Sequence, residues 1–188
     1  MKYMLFLDVQ KSNIKDSAAR TIAKRIIDCA YQLKDREDVF TFASSLEPDG
    51  ADAGGDESEL FSCLGSLVNV RSNRHGLLST FPSLTRMMAE KGRLPEEIYV
   101  CGFEASGIVL FASLLFKAIH PTAKVTIIDD LSFDMNYSEK LAALTVAERL
   151  GVGYATAKVA LGITFHSELP KEAESSQSSA PSGEQDKA

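Results

Sequence analysis

Ahead of residue 168, short runs that are apolar at nearly every position alternate with stretches whose apolar residues recur at helical spacing. The first run is 3–9 (YMLFLDV), and others follow at 38–43, 66–70, 97–102 and 124–129, with a short one at 153–156. Strands that lack polar alternation are buried on both faces, as in a parallel sheet covered by helices. Between the runs, 15–33 sets Ala19, Ile22, Ala23, Ile26, Ile27 and Ala30 on one helical face. Further helices are predicted over 81–91, 106–119, 138–150 and 157–161. Pro82 suits a first helical turn, His120-Pro121 stops one helix and Gly151 closes another. A Gly/Asp-rich loop fills 44–58. The alternation predicts an α/β fold, three-layer α/β/α, with a mostly parallel sheet of about six strands.

The pattern breaks near Ser167. Residues 168–188 contain one Leu and no aromatic, with five carboxylates against Lys171 and Lys187, so −3 of the net −6 lies in this stretch. Such a segment buries too little apolar surface to offset its ordering entropy. The expected organisation is one domain over 1–167 and a disordered acidic, Ser-rich tail over 168–188. At 188 residues, 45% hydrophobic and 24% charged, the chain is long enough for a core without disulfides or metal.

Charge and cysteine usage narrow the partners. Twenty basic against 26 acidic residues argue against nucleic acid or an anionic membrane. The longest apolar stretch, 107–116, ends at Lys117 and is about half of what a bilayer needs. Cys29, Cys63 and Cys101 are odd in number and widely spaced, which excludes a disulfide framework and suits a reducing cytoplasm.

In a parallel sheet the ligand crevice lies beyond the carboxyl ends of the strands, where strand order reverses. Three segments are expected there. Asp8 closes the first strand, directly after five apolar residues, where an acid is poorly solvated and is either paired, proton-handling or a turn cap. Arg74 and His75 lie in the loop before the helix at 81–91. Cys101-Gly102-Phe103-Glu104-Ala105-Ser106-Gly107-Ile108-Val109 reads as a strand–turn–helix elbow whose amides could hold an anion. It is not a phosphate loop, since no Lys-Ser/Thr follows Gly107.

Taken in order, these segments resemble the isochorismatase-like cysteine hydrolases, which include nicotinamidases and N-carbamoylsarcosine amidases. The family's Asp-x-Gln element followed by Asn is matched by Asp8-Val9-Gln10 and Asn13, and its Ser-Ala-Phe by Ser79-Thr80-Phe81. Its Cys-Gly-x-x-Thr-x-x-Cys-Val elbow aligns without a gap on 101–109. KVTIIDDLSF and LAALTVAERLGVGYATAKVAL look like its later strand and closing elements, so the resemblance covers roughly 2–161. It implies a hydrolase fold with an Asp base, a charge-stabilising Lys, a Cys nucleophile forming a thioester, and a pocket here made by Gln10, Arg74, Phe81, Glu104, Ala105 and Ser106.

The departures fall on the chemistry. Asp8 occupies the base place, His75 the Lys place and Ile108 the Cys place. Isoleucine has no nucleophilic atom. The elbow Thr, beside a cis peptide in the family, is Ala105, so the Glu104–Ala105 bond is expected to be trans. Cys101 reads as a small core residue, Ser106 as a displaced hydroxyl, and Cys29 and Cys63 as remote from the elbow. Residues 44–64 lack the histidines of metal-binding members, so no metal and no cofactor are expected.

The expected function is a catalytically degenerate isochorismatase-like domain that binds a small molecule or builds an oligomer with active relatives. A diverged amide or ester hydrolase is the alternative, and an unrelated doubly wound nucleotide-binding module the third. The expected partners are a small-molecule ligand and a homo-oligomer, with no nucleic acid and no membrane.

Overall fold

The computed structural model describes residues 1–10, 13–44, 63–72, 85–86, 88–89 and 94–165, with the backbone alone at 71 and 72. β1 (Lys2–Leu7) runs between β2 (Val39–Ser44) and β4 (Glu97–Phe103), β3 (Val70–Ser72) flanks β2, and β5 (Lys124–Phe133) and β6 (Gly153–Ala155) complete the other wing. The order is β3-β2-β1-β4-β5-β6 and every pairing is parallel. β1, β2 and β4 are buried almost throughout, as strands covered on both faces must be.

The helices divide between the two faces. α1 (Ser17–Leu33) starts at Asp16, whose side chain accepts from the Ala19 amide at 2.7 Å. It packs with the last helix on Met4, Phe6, Tyr99 and Cys101. A π-helical turn, Ala105–Val109, leads into α2 (Leu110–Ile119). With α3 (Tyr137–Arg149), which is capped by Asn136, it covers Tyr3, Leu5, Leu7, Ile98 and Val100 on the opposite face. α4 (Ala157–Leu161) is capped by Thr156 and closed by Gly162, left-handed at φ 73°. The three-layer α/β/α arrangement is therefore as predicted, with six parallel strands.

Three boundaries differ from the sequence reading. The third strand lies at Val70–Ser72 rather than 66–70, because Asn69 docks on β2 first. Its Oδ1 accepts from the Thr41 amide at 2.7 Å and the Thr41 hydroxyl at 2.9 Å. Leu67 and Val68, which look like strand residues, instead pack their side chains on the α1 face. β5 runs on to Phe133, past 129, through a register shift opposite Val100–Gly102. The predicted 106–119 helix opens as a π turn, with the Val109 amide bonded five residues back to Glu104 O at 3.3 Å. Within the predicted 81–91 helix, Thr85, Arg86, Met88 and Ala89 are helical, and Met88 is buried under the α2 face. The tail at 168–188 lies outside the described residues.

Candidate functional site

Strand order reverses between β1 and β4, whose connections leave in opposite directions, and this opens the crevice of a doubly wound sheet. Asp8 and the 101–109 elbow are the segments that follow these two strands. Gly102 brings them together. It sits opposite Leu7 with φ +139°, and a Cβ there would lie 1.9 Å from the Leu7 carbonyl oxygen. Only glycine permits both that conformation and that approach.

Asp8 ends β1 in the left-handed region, φ 51°, a conformation aspartate tolerates better than most residues. Its backbone is fully used: its amide donates to Ser44 O at 3.0 Å, and its carbonyl accepts from the Gln10 amide at 3.0 Å and Asn13 Nδ2 at 2.8 Å. The Asp-x-Gln and Asn positions thus form one turn. The carboxyl is treated differently. The residue is 8% exposed, and among the described residues no side-chain hydrogen bond or ion pair engages it. Burial first, and then the nearby Glu104 carboxylate, push its pKa from 3.8 up to about 6.

On the elbow, Glu104 is exposed, and its carbonyl accepts from the Gly107 amide at 3.2 Å and from Val109. Its side chain caps nothing, and Oε2 lies 3.2 Å from where a Gly107 Cβ would be. A cis peptide joins Phe103 to Glu104, one bond ahead of the place considered from the sequence, and the Glu104–Ala105 bond is trans as expected. Ala105 is buried. Ser106 donates from both amide and hydroxyl to Asp134 Oδ2, at 2.9 and 2.5 Å. The amides of Ser106, Gly107 and Val109 are thereby consumed inside the protein, leaving less of an anion cradle than the sequence allowed. Ile108 is half-buried and packs on the apolar cluster formed by Leu5, Leu7, Val100 and their neighbours.

Among the predicted site residues, Asp8 and Gln10 follow β1, and Glu104, Ala105, Ser106 and Ile108 follow β4. Arg74, His75 and Phe81 lie outside the described residues. Cys101 and Cys29 are buried with thiol pKa values pushed up by burial, and Cys63 is exposed. Asp134 is the residue the sequence reading missed. Its signal is its place one residue beyond β5, the same position relative to its strand that Asp8 holds on β1.

No family model and no curated protein matches the sequence. Solved structures do match. The pyrazinamidase/nicotinamidase of Streptococcus mutans UA159 superposes with a TM-score of 0.66 at 13% identity, over 82% of this chain and 100% of that one. An isochorismatase-like hydrolase from Alkaliphilus metalliredigens gives 0.66 at 15%, over 84% and 94%. Nicotinamidase from Bacillus subtilis gives 0.66 at 14%, over 82% and 98%. Among the described residues, no helix is long and apolar enough to cross a membrane. Strand order, the elbow after β4 and these superpositions agree: the chain has the isochorismatase-like hydrolase fold.

Proposed function

We propose that this protein is a catalytically degenerate isochorismatase-like domain, which holds a small ligand at the β1–β4 crevice and does not hydrolyse it. The observation that carries this reading is Ile108. A half-buried isoleucine stands where the resemblance puts the nucleophile, and it can form no acyl intermediate. Neighbouring groups do not readily replace it. The Cys101 thiol is fully buried and hard to ionise, while the Ser106 hydroxyl is committed to Asp134. The purified protein should show no turnover above buffer on a panel of aromatic and aliphatic amides and esters. Turnover that disappears in Asp8→Asn would overturn the proposal in favour of a diverged hydrolase.

That second reading has one observation of its own. Asp8, with a pKa of about 6, is poised to accept and release a proton near neutrality. A nucleotide-binding module shares this strand order, but Val9-Gln10-Lys11-Ser12 after β1 lacks phosphate-holding glycines. Self-assembly belongs to the proposal as well. Phe111 and Ile119 on α2 and Tyr137 and Leu141 on α3 are exposed, and sedimentation at micromolar concentration should find a species larger than a monomer. Buried free thiols at Cys29 and Cys101 support placing the protein in the cytoplasm.

A further inference from the structure

The charges around the crevice point to the kind of ligand it takes. Asp134 and Asp130 are satisfied within the chain, Asp134 by Ser106 and Asp130 by the Ala157 amide at 2.7 Å, and Asp129 pairs with Lys140 at 2.8 Å. Asp8 is the exception. It is more than nine-tenths buried, it sits at the topological switch point, and no described side chain partners its carboxyl. By register, Leu7 pairs with Gly102, so Asp8 and Glu104 end neighbouring strands one and two residues further on. Glu104 leaves its carboxylate unengaged beside Gly107. Four residues along, Ile108 is half-buried and packs on the apolar cluster of Leu5, Leu7 and Val100.

Taking a carboxylate out of water is costly unless a counter-charge comes with it, and a ligand can be that counter-charge. A compact ammonium head offers three N–H donors and the charge opposite to both carboxylates. A metal ion fits less well, since among the described residues no group of three or more His, Cys, Asp and Glu side chains converges. We propose that the β1–β4 crevice selects a primary organic ammonium on a small apolar body, the ammonium between Asp8 and Glu104 and the body against Ile108. This rests on the reading of the crevice as a ligand site and adds the sign of the ligand's charge. Arg74 and His75 would favour the opposite sign if they lined the crevice, so the test includes an anion.

Benzylamine, benzamide and benzoate share one shape and carry positive, zero and negative charge at pH 7.5. Titrated into the full-length protein at low ionic strength, benzylammonium should bind about tenfold tighter than benzamide, with benzoate weakest. Asp8→Asn and Glu104→Gln should each weaken benzylammonium about fivefold or more and leave benzamide within about twofold. Glu104 is exposed, so its variant keeps the fold if Asp8→Asn alters it. Benzamide or benzoate binding as tightly, no saturation by benzylamine, or indifference to both substitutions would overturn the proposal. The outcome is separable from the hydrolysis assay: turnover of amides sinks the degenerate reading and leaves the charge preference to be decided by these titrations.

Discussion

An aspartate follows β1 and two lie within β5, yet among the described residues those of β5 are engaged and the carboxyl of the one after β1 is not. Asp130 accepts the Ala157 amide and so starts α4, while Asp129 holds Lys140, whose Nζ also donates to Asp129 O and Ser132 O at 2.8 Å each. Burial pushes the pKa of Asp130 up, but the Ala157 amide and Arg25 work against that shift. Asp8 has burial and Glu104 acting in the same direction and no described group opposing them. A partly buried acid is thus no sign of a site by itself. The β5 acids are part of the fold, and the β1 acid is held at a stability cost that folding does not explain.

The largest expected effect comes from breaking the contact that sets Asp8 beside the elbow. Gly102→Ala would drive a Cβ into the Leu7 carbonyl at a backbone angle alanine avoids. It should cost about 3 kcal/mol or more in urea unfolding. A loss below about 1 kcal/mol would mean that β1 and β4 do not approach this closely.

Next comes the contrast between the two sets of acids. A carboxyl whose folded pKa of about 6 exceeds its unfolded value favours the folded state when protonated. That contribution is fully present below the unfolded value of 3.8 and is lost as pH rises through 6. The loss amounts to at most about 3 kcal/mol at neutral pH. Asp8→Asn should therefore stabilise by roughly 1–3 kcal/mol at pH 7.5, and the gain should vanish below about pH 4. Destabilisation by about 2 kcal/mol would reveal an ion pair at Asp8 and erase the contrast with β5. Asp130→Ala and Lys140→Met should move the other way, each losing about 1–2 kcal/mol as the acceptor for the first amide of α4 or a charged hydrogen-bond set is removed.

The sequence made some of this legible and hid the rest for physical reasons. Uninterrupted apolar runs marked the buried strands, and the position of Asp8 after one of them marked an acid in trouble. The fold resemblance rested on the order and spacing of several segments, 101–109 among them, and the superpositions bear out the fold. What escaped was set by contacts distant in sequence. Asn69 moves the third strand by capturing Thr41, 28 residues away, and Asp134 reaches Ser106 across another 28. The extension of β5 depends on the irregular pairing near Gly102, which is a property of two strands together and not of either alone.

The smallest stability effect is expected at Ile108, and it tests most directly whether that residue and Asp8 share one crevice. Ile108→Cys, in a Cys63→Ser background to remove the exposed thiol, should cost up to about 1 kcal/mol of apolar packing. Iodoacetamide should alkylate the new thiol faster than Cys29 or Cys101, whose burial keeps them protonated. Two influences compete at that thiol. The start of the helix favours the thiolate, and the Asp8 and Glu104 carboxylates oppose it. Adding Asp8→Asn removes one opposing charge, so alkylation at pH 7.5 should quicken by roughly two- to fivefold. Hydrolysis need not return with the thiol, because His75 stands at the Lys place and Ala105 at the Thr place, and such groups act as a unit. An inert thiol at 108 would turn that side chain away from the crevice. A reactive thiol indifferent to Asp8 would separate the two residues, and the carboxylate pair would then have no apolar wall for a ligand to rest on.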